Sequence, residues 1–251
     1  MMRYSICIDS VFRGLDSLSA LEQVKACGFE AYEFWSWWNR DLDALKKKAD
    51  ALGMSCACFC TKSFSLTEPS KRSVYLQDLK ESVKAAKKIG APCLISQCGD
   101  DTGAVHAYQR RSVVEGLREA APIVEDAGVT LLLEPLNGKI DHKGTWLESS
   151  GEAFEIVREA GSGSIKLLFD IYHQQITEGD VIRRLTSYVS EIRHVHSAGN
   201  PGRHELDSGE LDYPRIFKAL EGAGYKGYLG LEYVPAEDPV TSLKRMRSLV
   251  P

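Results

Sequence analysis

Two hydrophobic periods alternate along this chain. In stretches such as SLSALEQVKA and LDALKKKADAL, apolar residues recur every third or fourth position; between them lie short apolar runs such as SCACFC, VTLLLE, IKLLFD and YLGLEY. The first pattern predicts amphipathic helices and the second short strands. The junctions read KACGFEAYEF, DALGMSCACF, KKIGAPCLIS, EDAGVTLLLE and EGAGYKGYLG, each with a glycine at the left-handed position that closes a helix.

The pattern predicts eight strands, at 4–9, 30–35, 54–60, 92–98, 129–134, 165–170, 192–197 and 228–233. Helices are predicted near 17–27, 41–52, 71–89, 107–127, 150–160, 179–190, 213–222 and 239–249. Eight strand–helix repeats in this length close into a parallel (β/α)8 TIM barrel, an α/β fold expected as a single domain over residues 1–251, because such barrels run to ~250 residues. The longest irregular stretches, 60–69, 98–105, 135–149 and 198–212, all follow strands. In this architecture they gather on the C-terminal face, where substrates bind.

Four polar residues end apolar strands on that face: Glu134 in LLLEPLN, Asp170 in IKLLFDIYH, His196 in IRHVHSAG and Glu232 in LGLEYVP. Glu134 or Glu232 taken alone reads equally well as a structural partner for Lys or Arg or as a loop residue. As a set they predict a site for one divalent metal, because buried carboxylates need compensation that a cation supplies. Three carboxylates with one imidazole favour Mg2+ or Mn2+ over structural zinc. A period of two puts Leu132 beneath Glu134, His194 beneath His196 and Gly230 beneath Glu232, so Gly230 is expected to leave space under the site. His194 is expected to be a satisfied core histidine.

Further candidates surround these four. His173 could contact a substrate hydroxyl or support the metal, or be a rim histidine on a backbone partner. Arg203, in the loop AGNPGRHELDSGELDYP, suits two-point grip of a carboxylate or phosphate, or a surface salt bridge. Trp35 belongs to the run YEFWSWWNR, which could wall a pocket or pack under a loop. Lys62 is a candidate for an anionic group.

The rest of the chain narrows the function classes. With 43% hydrophobic and 26% charged residues the chain has material for a large core, and a net charge of −4 without an evident basic patch points away from nucleic acid. No run approaches the ~18 apolar residues of a membrane helix, so no membrane partner is expected and the cytoplasm is the expected location. Cys56, Cys58 and Cys60, three of seven cysteines, read as small buried residues on one sheet face, with a thiolate metal site as the alternative. Neither GxGxxG nor GxxxxGK[ST] occurs, so no nicotinamide, flavin or ATP is implied. The expected partners are a small-molecule substrate and further copies of this chain in a homo-oligomer.

The segments Glu134-Pro135-Leu136-Asn137, Asp170-Ile171-Tyr172-His173, His194-Val195-His196, Pro201-Gly202-Arg203-His204-Glu205 and Leu231-Glu232-Tyr233 resemble the xylose isomerase-like barrel superfamily, and within it the hydroxypyruvate isomerases. The resemblance implies that Glu134, Asp170, His196 and Glu232 bind the metal, that Glu134 and Glu232 double as acid/base groups, and that His173 and Arg203 contact substrate. It implies isomerisation of a small α-hydroxycarbonyl compound, hydroxypyruvate to tartronate semialdehyde, through an enediolate. Hydroxypyruvate isomerases are expected to carry glutamine where this chain has His196, and histidine there is what related ketose 3-epimerases use. A tagatose- or allulose-type 3-epimerase is therefore the alternative. A metal-dependent lyase or hydrolase, or a non-catalytic binding barrel, comes after it.

Overall fold

Local chemistry sets the helix boundaries. Asp16 caps the helix Ser17–Ala26 by accepting the backbone N–H groups of Leu18 and Ser19, both at 3.0 Å, and Asp41 does the same for Leu42–Leu52. At the five glycine junctions, Gly28, Gly53, Gly90, Gly128 and Gly224 all have positive φ, between 63° and 84°.

The computed structural model describes residues 2–250. Its strands are β1 (Arg3–Cys7), β2 (Ala31–Phe34), β3 (Ser55–Cys60), β4 (Cys93–Ser96), β5 (Thr130–Leu133), β6 (Ile165–Asp170), β7 (Ile192–Ser197) and β8 (Tyr228–Leu231). They pair in parallel, in sequence order, and β8 returns to β1 to close the predicted barrel. The helices are α1 (Ile8–Val11), α2 (Ser17–Ala26), α3 (Leu42–Leu52), α4 (Arg72–Ile89), α5 (His106–Glu125), α6 (Ser150–Ala160), α7 (Ile171–Thr177), α8 (Val181–Ser187), α9 (Tyr213–Gly222) and α10 (Pro239–Leu249). None is long and apolar enough to cross a membrane.

Two helices are not predicted from the sequence. Both are short and start where a strand stops: α1 follows β1 directly and α7 follows β6 directly. The helix expected at 179–190 is confined to Val181–Ser187. Cys56 also differs from expectation. The β2–β3 register shifts between Tyr32 and Phe34, so Cys58 and Cys60 join the inner cluster while Cys56 packs with Tyr32 and Phe59 in the larger core. All seven cysteines are buried and free.

The barrel interior has two unlike arcs. From β3 to β6 it is apolar, with Ala57, Cys58, Cys60, Cys93, Ile95, Leu132 and Leu168 in contact. Across from them Ser5 of β1, Glu33 of β2 and His194 and His196 of β7 are polar and buried. Outside the strands, Leu131, Leu133, Leu167, Phe169, Leu229 and Leu231 join the main helix–sheet core.

The loop 198–212 is tied to the last helix by Glu205. This carboxylate is buried, accepts the Ala236 N–H at 3.1 Å and the Ser242 hydroxyl at 2.8 Å, and lies 3.8 Å from Arg245. Val234 donates its N–H to the Arg203 carbonyl at 2.7 Å, fixing the same loop to the end of β8. Replacing Glu205 with alanine takes this acceptor from the buried Ser242 hydroxyl and releases the Ala236 N–H, so Glu205→Ala should destabilise the fold by about 1–3 kcal/mol and lower Tm by roughly 3–10 °C. Thermal unfolding followed by circular dichroism checks this; an unchanged Tm would show that the loop does not depend on this anchor.

Candidate active site

Asp170 is placed by two elements at once, since it ends β6 and caps α7. Its Oδ1 accepts the N–H groups of Tyr172 at 2.8 Å and His173 at 3.3 Å, and its Oδ2 is left facing Arg203 at 3.7 Å and His173 Nε2 at 3.4 Å. His196 stands beside it in register on β7. Its Nδ1 lies 3.7 Å from Glu134 Oε1 and 3.4 Å from Glu232 Oε2, while its Nε2 lies 2.9 Å from Glu33. Glu134, Asp170, His196 and Glu232 are all buried. The four predicted residues thus meet on the C-terminal rim.

Glu232 is held from two sides. The Trp35 indole N–H donates to its Oε1 at 2.6 Å, and the Arg203 guanidinium grips its Oε2. Burial opposes ionisation of Glu232, but Arg203 and His196 outweigh it and hold the carboxyl below its ordinary range. At Asp170 burial prevails and raises the pKa, although Arg203 pulls the other way. Burial also opposes a charge on His196, yet Glu232 and Glu33 overcome it and hold that imidazole well above its usual pKa.

His173 has a settled tautomer. Its Nδ1 accepts from the Asn137 side-chain amide at 2.5 Å, so the hydrogen-bond network assigns the proton to Nε2, which has no hydrogen-bond partner among the described residues and faces Asp170. Asn137 also donates to Asp141 at 2.8 Å and accepts the N–H groups of Ile140 and Asp141, shaping the loop after β5. Arg203 sits with φ of 58°, its guanidinium carbon 5.3 Å from the centre of the Tyr172 ring, and its buried Nε has no hydrogen-bond partner among the described residues.

The other candidates divide. Of the aromatic run, Trp35 reaches the carboxylates, whereas Trp37 donates to Ser82 and Trp38 packs edge-on against Trp37. Lys62 stands apart from the cluster, 3.7 Å from Asp78 and 3.8 Å from Glu81. It lines a groove of about 730 Å³ whose lining includes none of the four strand-end residues. The groove therefore lies beside the chemistry; His142 in its wall packs edge-on against His173.

Glu33 and His194 are the parts of the site that the sequence leaves obscure. Both are fully interior, with His194 Nε2 2.9 Å from Glu33 Oε2, and Ser5 donates to the same oxygen at 2.7 Å. The expected space under Gly230 is filled by the Glu33 carboxylate, with which a side chain at 230 would collide. Nothing in YEFWSWW marks Glu33, because its partnership with β7 arises only when the barrel closes.

These residues fit a divalent cation. Ligand atoms of Asp170, His196 and Glu232 lie within 4.8 Å of one another, as do those of Glu134, Asp170 and His173, so the two sets overlap at Asp170. Both His196 ring nitrogens are buried without a hydrogen-bond partner among the described residues, Nδ1 near Glu134 and Glu232 and Nε2 near Glu33. Arg203 faces Asp170 and Glu232, and Glu134 pairs with only the His196 ring among the described residues, so a cation among these carboxylates would add compensation.

Comparison with known proteins agrees with this architecture. The model of the xylose isomerase-like TIM barrel family matches residues 21–249. The chain is 31% identical over 244 residues to a 2-oxo-tetronate isomerase of Cupriavidus necator, covering 94% of each protein. It is 27% identical over 259 residues to the hydroxypyruvate isomerase of Escherichia coli K12, covering 98% of each. A solved structure titled as an AP endonuclease of family 2 from Brucella melitensis superposes with a TM-score of 0.95 at 24% identity, covering 100% of both chains, and shows the shared fold.

His173 makes acid stability testable. Burial first, and Arg203 next, lower its pKa to about 3, whereas the unfolded chain takes up this proton near its ordinary value of about 6.5. Between those values the unfolded state binds the extra proton, so stability falls as pH is lowered through that window, by on the order of 3–5 kcal/mol in full. In metal-free protein, His173→Asn should flatten the decline of urea stability between pH 6.5 and 4 relative to the parent chain. Parallel declines would refute a buried neutral His173.

Proposed function

This chain belongs to the xylose isomerase-like TIM barrel family and is an isomerase, and on that premise we propose that it interconverts short α-hydroxycarbonyl acids. Hydroxypyruvate and tartronate semialdehyde are the leading pair, and a 2-oxo-tetronate is the next substrate of the same class. The observation that carries the reading is the pair of buried carboxylates, Glu134 and Glu232, that approach the same His196 nitrogen from 3.7 and 3.4 Å.

The reaction breaks the C–H bond at the hydroxyl-bearing C3, forms one at C2, and passes the hydroxyl proton from the C3 oxygen to the C2 oxygen. Nothing leaves and no external oxidant is needed. Glu232, kept ionised by Arg203 and His196, is suited to accept a carbon-bound proton, with the Trp35 N–H fixing its orientation. Glu134, which approaches the same His196 nitrogen, returns a proton to the neighbouring carbon. A divalent cation, Mn2+ or Mg2+, held by Glu134, Asp170, His196 and Glu232, would supply the charge stabilisation that makes an enediolate accessible to carboxylate bases. Arg203 has a free Nε–H for the substrate carboxylate, and the unpartnered His173 Nε2–H is available to a substrate oxygen. Burial of Glu134, Asp170, His196 and Glu232 keeps these side chains away from bulk water.

A ketose 3-epimerase is the second reading. Two carboxylates converging on one centre also suit removal and return of a proton at the same carbon, and His196 supplies the imidazole expected of that group.

Substrate choice is decided by NMR in D2O with Mn2+ exchanged for Mg2+, offering hydroxypyruvate, fructose, tagatose and allulose separately. Tartronate semialdehyde formation with the sugars untouched is expected; deuterium entering C3 of a ketose would favour the epimerase. Glu232→Gln should lower kcat about 10²–10⁴-fold while leaving the circular dichroism spectrum unchanged. Near-parental turnover in that variant would remove Glu232 from the chemistry.

A further inference from the structure

Below the rim, the barrel interior holds a second cluster of polar side chains, drawn from three strands, that the proposed reaction does not use. Glu33 of β2, Cys58 of β3 and His194 of β7 are all buried. The Cys58 sulfur lies 3.5 Å from Glu33 Oε2 and 3.7 Å from His194 Nε2, and those two atoms are 2.9 Å apart. Oxygen, nitrogen and sulfur donors bound to one tetrahedral zinc, at ~2.0, ~2.0 and ~2.3 Å, stand about 3.3–3.6 Å from one another. The two separations that involve sulfur match this spacing, and the third is shorter.

Two further observations point to a ligand. Glu33 Oε1 is buried without a hydrogen-bond partner among the described residues, although it lies 2.9 Å from His196 Nε2, which also has none. Among the described residues no lysine or arginine pairs with Glu33, whereas Asp170 and Glu232 on the rim face Arg203. A buried carboxylate with an unmet oxygen and no permanently charged cation beside it is costly. A divalent cation together with one carboxylate and one thiolate is a neutral unit, which a dry interior can hold.

We infer that Glu33, Cys58 and His194 form a second cation site, inside the barrel and separate from the rim, with a donor set that takes zinc. Sulfur and nitrogen ligands select zinc, whereas the oxygen-rich rim suits Mn2+ or Mg2+. Both Glu33 oxygens, the Cys58 sulfur and the His194 nitrogen together supply the donor atoms of a closed site, with Oε1 free for the part. Coordination displaces the thiol proton to solvent, so the cation's charge is balanced by the carboxylate and the new thiolate. The Ser5 hydroxyl, 2.7 Å from Glu33 Oε2, steadies that carboxylate from β1. Gly230 makes the room, because a methyl group there would run into both Glu33 oxygens. The bound ion ties β2 and β3 to β7 across the barrel and acts as a staple, not as a reagent.

The test is absorption spectroscopy of the full chain expressed with Co2+ in the medium and purified without chelator. Cobalt bound by a thiolate shows an intense near-ultraviolet sulfur-to-metal charge-transfer band that cobalt held only by oxygen and nitrogen lacks. The parent chain should show the band. Cys58→Ser should abolish it and carry about one cobalt fewer per chain by mass spectrometry. Glu33→Gln, which leaves the sulfur in place, should lose the band at a lower chelator concentration than the parent. Asp170→Asn, which takes a ligand from the rim, should keep it. Absence of the band from the parent chain would overturn the inference without need of any variant. Loss of the band in Asp170→Asn would overturn it too, by assigning the cobalt to the rim. So would a band that survives Cys58→Ser and disappears in Cys7→Ser, because the Cys7 sulfur lies 3.9 Å from Glu232 Oε1.

Discussion

Buried negative charge is the constraint around which this barrel is arranged. Glu33, Glu134, Asp170 and Glu232 are all removed from water. An uncompensated carboxylate in that environment would protonate or unfold the chain. Three of them are answered in different ways. Glu33 takes two imidazoles, Asp170 spends one oxygen on the first turn of α7, and Glu232 takes Arg203 and an indole N–H. What these leave over is concentrated at one place on the rim, and the polar arc formed by β1, β2 and β7 exists to support it.

The parts of this architecture legible in the sequence are those written in local pattern. Alternating periods and glycine stops give the eight strands within about two residues, and β6 and β7 match their predicted limits, 165–170 and 192–197. Glu134, Asp170, His196 and Glu232 are visible because each interrupts an apolar run at its end. Glu33 interrupts a run as well, but its meaning depends on contacts 161 and 163 residues away, with His194 and His196. The bulge that turns Cys56 outward is likewise a property of strand pairing, and α7 hides because it begins on the very residue where the strand ends.

The comparisons show how little the barrel alone says about chemistry. A chain titled as an endonuclease superposes almost completely, yet at 24% identity it speaks only to the fold. What separates one activity from another on this scaffold is the composition of a few rim positions and of the layer immediately below them. The apolar arc from β3 to β6 could be rebuilt with other hydrophobic residues of similar volume. The polar arc has no such latitude, since each of its members answers a charge on another.

Asp170 shows how tightly the two kinds of demand can share one side chain. One oxygen starts a helix and the other faces the site, so the residue is a junction between secondary structure and chemistry. Asparagine could still begin α7 but would bring no negative charge, and glutamate would bring the charge on an arm too long for the same cap. The first turn of α7 carries Tyr172 and His173. Evolutionary drift at this one position would therefore face two independent filters, and a sequence that passes the first can still fail the second.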